Sequence, residues 1–167
     1  MLIHKPRFKF LLNKEFLTFS FAIKKPQWCF GIQNKIGEYE YIPFFDFDDS
    51  LSSEVENFSN NLYELNERKY GYSILQSSTY NYHVIFWKIV TRDTYLHYLV
   101  FALSYGMDKG YISLFLNRDF SILRFSPKGN KKMPKTVKYV KGENDEIVMS
   151  KLYNANKQLI AYTTFNY

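Results

Sequence analysis

Residues 44–49 read FFDFDD, a short aromatic run that ends in a cluster of carboxylates. Side chains alternate between the two faces of a β-strand, so Asp46 and Asp48 are predicted on one face, about 7 Å apart. Two carboxylates at this spacing repel each other and are costly to desolvate beside phenylalanines unless a cation compensates their charge. Capping of a following helix explains Asp49 better than it explains Asp46. Asp46 and Asp48 are therefore candidate metal ligands and catalytic residues.

Upstream of this stretch the sequence has the pattern of β-strands. Period-two alternation predicts antiparallel strands over residues 7–12, 16–23 and 28–33. The aromatic-rich segment 38–46, which contains Asp46, is predicted as a further strand.

Downstream, helix and strand patterns alternate. An amphipathic helix is predicted to follow Asp49 or Ser50, either of which can cap it, and a second helix is predicted over residues 91–105. The apolar stripe of the first helix, with steps of three and four, is made by Leu51, Val55, Phe58, Leu62 and Leu65. The other predicted elements are strands at 72–76, 82–88, 111–116 and 120–125 and a C-terminal hairpin made by 147–153 and 158–164.

The order of these elements predicts the fold class. From residue 38 to residue 116 the order is β-α-β-β-α-β, which is that of the ferredoxin-like or RRM-like split βαβ unit. We therefore predict an α+β fold in which this core carries additional N-terminal antiparallel strands and the C-terminal hairpin. No linker composition interrupts the chain, so residues 1–167 are predicted to form a single domain with its core over about 38–128.

The geometry of this unit brings several polar side chains to one edge of the sheet. Its two halves begin with neighbouring antiparallel strands, so the end of the strand carrying Asp46 meets the start of the strand carrying His83. The second helix ends at the same edge and brings Asp108 to it. In a hairpin of 111–116 with 120–125, Asp119 lies at the far turn, roughly 20 Å away. Asp108 is therefore the preferred third catalytic and metal-binding carboxylate, with Asp119 in reserve.

Two further segments carry groups that bind phosphate. The polar turn at 77–81 offers hydroxyls and backbone N–H groups, and an imidazole stands at the mouth of the next strand. A guanidinium, a hydroxyl and an ammonium share one face at alternate positions of 124–128, if the strand persists. The candidate nucleotide-binding residues are Ser77, Ser78, His83, Arg124, Ser126 and Lys128.

Positive charge is concentrated in one segment. The chain has 22 Lys and Arg and 16 Asp and Glu, and seven of the basic residues lie between 124 and 142, where there is no acidic residue. Without that segment the net charge of +6 becomes −1. Such a pattern is typical of a basic arm, here residues 124–142, that binds the phosphates of a nucleic acid. The plainer interpretation is a solvated surface loop. The candidate nucleic-acid-binding residues are Lys131, Lys132, Lys135 and Lys138.

Length and composition exclude several classes of protein. With 167 residues and 20% aromatic residues, the chain is too apolar for wholesale disorder. Its apolar runs are far shorter than the ~20 residues of a membrane span, and the N-terminus has no apolar signal region. The single cysteine, Cys29, excludes an internal disulfide and a multi-cysteine zinc site. We expect an intracellular protein located in the cytoplasm, or in the host cytoplasm if the chain is viral, with no membrane partner.

These motifs, taken in order, resemble those of the archaeo-eukaryotic primase superfamily, the primase-polymerases. Asp46 and Asp48 match its first motif, a hydrophobic strand that ends in Asp-x-Asp/Glu, and Ser77 followed by His83 matches its second. The resemblance places the third carboxylate on Asp108 and covers roughly residues 39–128. Ser78 and Asn81 stand where glycines are usual, but Asn tolerates the left-handed backbone that such a turn needs.

The resemblance implies a DNA primase or DNA polymerase, a nucleotidyltransferase that uses Mg²⁺ or Mn²⁺ and nucleoside triphosphates on a single-stranded DNA template. It implies a role in DNA replication of a mobile element, virus or plasmid, beside a separate helicase or replication protein. Two alternatives remain, namely a non-catalytic RRM-like module that binds single-stranded nucleic acid and an inactive primase relic. A rolling-circle nuclease fits poorly, because that chemistry needs two metal-binding His and only His83 is in place.

Overall fold

The computed structural model describes residues 7–12, 15–20, 27–127, 132–157 and 160–164, with side chains for 31–127 and 132–157. Its strands are β1 (Arg7–Leu12), β2 (Glu15–Ser20), β3 (Gln27–Gln33), β4 (Phe44–Phe47), β5 (Tyr72–Ser78), β6 (Asn81–Phe86), β7 (Ile122–Arg124), β8 (Lys135–Val140) and β9 (Ile160–Thr164). Its helices are α1 (Ser52–Leu65), α2 (Arg92–Leu103), α3 (Lys109–Arg118) and α4 (Asp145–Ala155).

The strands form antiparallel sheets, and the fold is α+β. Strands β1 and β2 pair with each other, β3 lies between β7 and β9, and the largest sheet has the order β4-β6-β5-β8. The expected antiparallel strands before residue 34 are therefore present. Strand β6 lies between β4 and β5, which is the order predicted for these three segments.

The predicted hairpin at 111–116 and 120–125 is wrong. Residues 109–118 form α3, because Asp108 caps the helix by accepting a hydrogen bond from the Gly110 N–H, and Tyr111 and Phe115, four residues apart, are both buried. The second predicted strand is reduced to β7, which pairs with β3. The segment expected to supply the last strand of the β-α-β-β-α-β order is thus a helix, and β8 instead extends the sheet beyond β5.

The predicted C-terminal hairpin is also wrong. Residues 145–155 form α4, in which Val148 and Leu152 are buried one helical turn apart. Strand β9 is present, but its partner is β3, more than a hundred residues earlier in the chain.

The two faces of β4 have different surroundings. Phe45 and Phe47 pack against Phe58 of α1, with ring centroids 4.8 and 5.2 Å apart. Because side chains alternate along a strand, Asp46 projects from the opposite face. The aromatic core therefore fixes which way the candidate carboxylate points.

Helix α1 begins differently from the prediction. Its N-cap is Leu51, whose backbone N–H donates to the Glu54 side chain at 2.9 Å, so neither Asp49 nor Ser50 caps it. Val55, Phe58 and Leu62 are buried as expected, whereas the two ends of the predicted stripe, Leu51 and Leu65, are exposed.

A buried carboxylate joins the start of α4 to the start of β5. Asp145 is 1% exposed and accepts hydrogen bonds from the N–H groups of Gly71 and Gly142 and from the Tyr139 hydroxyl, at 2.8 to 3.0 Å. Asp145 and the Val140 carbonyl lie so close to the Gly71 backbone that a Cβ at Gly71 would be 2.1 Å from an Asp145 oxygen and 2.3 Å from the Val140 carbonyl oxygen. Glycine is therefore required at position 71.

No helix in the described part of the chain combines the length and the hydrophobicity that crossing a bilayer requires.

Candidate functional site

Asp46 and His83 lie directly opposite each other on β4 and β6. Asp46 Oδ1 is 3.0 Å from His83 Nδ1, but the contact lacks the angle of a hydrogen bond. Asp46 Oδ1 and both ring nitrogens of His83 are buried, and none of the three has a hydrogen-bond partner among the described residues. Buried polar atoms are nearly always paired, so this group of atoms fits a site that binds a ligand.

Asp108 reaches the same edge, as the sequence predicts. Its backbone N–H donates to the Asp46 carbonyl at 3.0 Å, which fixes the start of α3 beside the end of β4. The Asp108 carboxylate caps α3, because its Oδ1 accepts a hydrogen bond from the Gly110 N–H at 2.9 Å. Asp108 therefore lies at the predicted place, with a helix-capping role there.

Asp48 lies outside β4, which ends at Phe47, and does not continue the alternation predicted for it. Its backbone carbonyl accepts a hydrogen bond from the Ser50 hydroxyl at 3.3 Å. With Asp49 and Glu54 it lines a cavity of about 430 Å³ between the start of α1 and the end of α2. The carboxylates of this edge are thus divided between the Asp46–His83 face and the mouth of this cavity.

The predicted phosphate-binding residues are partly brought together. The Arg124 side chain is 9% exposed and donates to the backbone carbonyls of Ser126, Lys132 and Ser77, at 2.6, 3.1 and 3.5 Å. Arg124 therefore joins Ser126, which follows β7, and Lys132, which precedes β8, to the end of β5. The Ser77 hydroxyl donates to the Asn81 carbonyl at 3.4 Å across the same turn.

The turn between β5 and β6 is tighter than predicted. Ser78 pairs with Asn81, so only Thr79 and Tyr80 form the turn. The left-handed residue is Tyr80, with a φ of 64°, rather than Asn81. Asn81 has another role, since its side chain accepts a hydrogen bond from the Asp49 N–H at 3.2 Å.

The lysines of the basic arm differ in their environment. Lys132 and Lys135 are exposed. Lys138 donates to Glu56 of α1 at 2.7 Å, and this hydrogen bond raises the pKa of Lys138. Lys128 and Lys131, also predicted as ligand-binding residues, lie outside the described residues.

Asp119, the reserve carboxylate, belongs to a separate cluster beside the start of α2. It accepts hydrogen bonds from Lys35 at 2.5 Å, from Arg92 at 2.8 Å and from the Tyr41 hydroxyl at 2.9 Å. The hydrogen bond from Lys35 is the main cause that lowers the pKa of Asp119 to about 2. Since Asp108 lies just beyond the other end of α2, Asp119 is about the length of that helix away from the candidate site.

Tyr111 is a residue of this region that the sequence reading missed. Its fully buried hydroxyl lies near those of Tyr95 and Ser121 and near the Asp46 carboxylate, but it has no hydrogen bond of normal geometry within the described residues. Burial is the main cause that raises the pKa of Tyr111, and the charge of Asp46 acts in the same direction. The capping residue Asp108 and the four-residue spacing of Tyr111 and Phe115 were the signals that could have revealed α3 and this side chain.

No group of three or more His, Cys, Asp or Glu side chains in the described part of the chain is arranged to hold a metal ion. Magnesium is usually bound by one or two carboxylates together with water and substrate phosphates, rather than by a cage of protein ligands alone. Asp46 fits that requirement as a single carboxylate, because its buried Oδ1 has no hydrogen-bond partner among the described residues, whereas Asp48 lines the neighbouring cavity.

Comparison with known proteins gives no relative. No protein-family model, curated protein or solved structure matches this chain.

Proposed function

We propose that this protein is a metal-dependent nucleotidyltransferase of the primase-polymerase type, which joins nucleotides on a single-stranded DNA template. The observation that carries the proposal is the pair formed by Asp46 and His83, with three buried polar atoms that have no hydrogen-bond partner among the described residues. The proposal includes an RRM-like origin for the β4-α1-β5-β6-α2 segment. It is supported by the strand order β4-β6-β5 and by the position of Asp46, His83 and Asp108 at one edge of this sheet.

Asp46 and Asp48 would hold Mg²⁺ or Mn²⁺. A bound ion of this kind activates a primer hydroxyl and neutralises charge on the triphosphate. The chain's own contribution is to orient the ligands. The backbone of Asp46 is fixed by the β4–β6 ladder and by the Asp108 N–H, and its carboxylate is walled on one side by His83. Asp108 acts here as a positioning residue.

The triphosphate would lie beside the β5–β6 turn. His83 Nε2 is buried and has no hydrogen-bond partner in the described part of the chain, and it can donate a hydrogen bond to a phosphate oxygen when that nitrogen carries the proton. Arg124 holds Ser126 and the start of the basic arm against Ser77, so hydroxyls and positive charge surround the same turn. The exposed cations of Lys132 and Lys135 would bind the template phosphates.

The direct test is incorporation of labelled nucleotides on a primed single-stranded DNA template with Mg²⁺ or Mn²⁺. The double variant Asp46→Ala/Asp48→Ala should lose incorporation to the detection limit while still binding single-stranded DNA, because it removes the metal ligands and leaves the lysines. The matched control is Glu143→Ala/Glu146→Ala, which removes two exposed carboxylates beyond the far end of β5 and should keep full activity. Absence of incorporation by the wild type with either metal would contradict the proposal.

A non-catalytic module that binds single-stranded nucleic acid is the second candidate. The observation that favours it is the exposure of β8 and of the residues just before it. Val137, Tyr139 and Met133 are all about half exposed, beside the exposed Lys132 and Lys135. Such a module would bind DNA with the same salt dependence whether or not Asp46 is present, and it would never incorporate a nucleotide. Incorporation that depends on Asp46 separates the two candidates.

In the cell, such an enzyme would act in the cytoplasm, or in the host cytoplasm if the chain is viral. Its partners would be nucleoside triphosphates, a single-stranded template and a separate helicase or replication protein.

A further inference from the structure

Tyr80 is held in an unfavourable backbone conformation at the tip of the β5–β6 turn. Its φ is 64°, in the left-handed region that glycine favours and that bulky residues rarely adopt. In a two-residue turn whose second residue alone has positive φ, glycine is the usual choice at that position. An aromatic residue there carries a conformational cost that burial does not offset, because Tyr80 is 55% exposed.

The tip is anchored to the segment that carries the candidate carboxylates. The Ser50 N–H donates to the Tyr80 carbonyl at 2.8 Å, and the Asp49 N–H donates to the Asn81 side chain. Asp49 is itself left-handed, with a φ of 53°. Two of the five described non-glycine residues with positive φ therefore meet at the edge of the candidate site, and the other three are Glu67, Arg68 and Asp119. Backbone strain of this kind is often found at functional sites.

Positive charge lies on the other side of the same turn. Lys135 at the start of β8 pairs with Gln76 near the end of β5, and Arg124 contacts the Ser77 carbonyl. Arg124 is buried among the carbonyls it binds, so the available cation is the exposed Lys135. An exposed aromatic ring with an exposed lysine at the same end of the sheet is a combination that can bind a nucleotide, with stacking for the base and charge for the phosphate. Because the Tyr80 side chain is mostly exposed, packing does not explain an aromatic residue at this position.

We propose that Tyr80 is a stacking platform for a nucleobase at the entrance of the Asp46–His83 site. The ligand class rests on the proposed function, but the stacking is tested without catalysis. The base can come from a nucleoside triphosphate or from a single strand, and the two sources are separated by the probes below.

The first experiment places a fluorescent indole at the tip. In Tyr80→Trp, emission is followed while either dATP with Mg²⁺ or a short single-stranded oligonucleotide is added, and an abasic strand of the same length controls for phosphate binding alone. Stacking predicts quenching by one or both base-carrying probes and none by the abasic strand. The matched control is Tyr39→Trp, at a residue that is 72% exposed and lies before β4, and it should not respond.

The second experiment removes the ring. Tyr80→Gly should bind the quenching probe about 5- to 150-fold more weakly, since stacking of one base contributes about 1–3 kcal/mol. Its melting temperature should be equal to or above that of the wild type, because glycine adopts the left-handed backbone without strain. Tyr80→Phe should bind like the wild type.

The outcomes separate the two proposals. Wild-type binding of the probes, with unquenched indole emission in Tyr80→Trp and unchanged affinity in Tyr80→Gly, overturns the stacking inference and leaves the proposed function standing. Quenching and loss of affinity without any nucleotide incorporation support stacking and contradict the polymerase. A wild type that binds neither probe overturns both.

Discussion

Asp145 and Asp46 are two carboxylates of the same chain that are bonded in opposite ways. Both oxygens of Asp145 accept hydrogen bonds, from two glycine N–H groups and a tyrosine hydroxyl, and the residue is 1% exposed. Asp46 Oδ1 is also buried, but it has no hydrogen-bond partner within the described residues. Hydrogen bonds within the fold account for Asp145, whereas Asp46 Oδ1 has the 3.0 Å contact with His83 Nδ1 and no hydrogen bond among the described residues.

Hydrogen bonding therefore provides a criterion that separates structural from functional carboxylates among the 16 Asp and Glu of the chain. Asp119 belongs with Asp145, because Lys35, Arg92 and Tyr41 satisfy its carboxylate. Asp46 differs from both, since its Oδ1 lies 3.0 Å from an imidazole whose nitrogens also have no hydrogen-bond partner among the described residues. Stability measurements on matched variants therefore test this distinction.

The largest effect is expected at Asp145. Asp145→Ala leaves two buried N–H groups and the Tyr139 hydroxyl without their acceptor, and it should lower the free energy of unfolding by roughly 3 kcal/mol or more. Asp46→Asn, which keeps the shape of the side chain and breaks no hydrogen bond made by Oδ1, should change it by less than about 0.5 kcal/mol. Urea unfolding followed by circular dichroism measures both. Equal losses in the two variants would remove the contrast.

A smaller, pH-dependent effect is expected at Asp119. Its pKa falls from 3.8 to about 2 in the folded state, so its stabilisation is present above pH 4 and is lost as the pH falls toward 2. Because its side chain is 44% exposed, solvent screening reduces the contribution to about 1 kcal/mol. The stability difference between wild type and Asp119→Asn should narrow by about two thirds of that amount between pH 5 and pH 2.5 in urea titrations. If the free energy of unfolding changes with pH in the same way for both proteins, the ion pairs of Asp119 contribute nothing to stability.

The smallest effect has the opposite sign. Tyr111→Phe removes a buried hydroxyl that has no hydrogen bond of normal geometry, and it should raise the free energy of unfolding by about 0.5 kcal/mol. Tyr95→Phe is the control, because the Tyr95 hydroxyl donates to the Phe44 carbonyl at 2.6 Å and its loss should destabilise by about 1 kcal/mol. A clear loss of stability in Tyr111→Phe would mean that its hydroxyl is paired in solution.

The part of the site that local patterns specify could be predicted from the sequence. Strand alternation and the order of β4, α1, β5, β6 and α2 were sufficient to bring Asp46, His83 and Asp108 to one edge. The hydrogen bonds that distinguish these acids were not predictable. The partners of Asp119 come from positions 35, 41 and 92, and no short-range pattern indicates such distant contacts.

The errors in the fold have a similar origin. Residues 111–116 and 147–153 are short apolar runs whose spacing fits a strand and a helix almost equally well, and the caps that distinguish them lie just outside the runs. Strand β9 pairs with β3 across the whole length of the chain, so its partner has no local signal. Tyr80 was missed because left-handed turn positions are predicted for Gly or Asn.

The most direct test of the Asp46–His83 site is a manganese soak of crystals with a nucleoside triphosphate, followed by an anomalous-scattering map. We predict an anomalous peak beside the carboxylates of Asp46 and Asp48 in the wild type and its loss in Asp46→Ala. A map with no peak at these residues, or with a peak that persists in Asp46→Ala, would contradict the site.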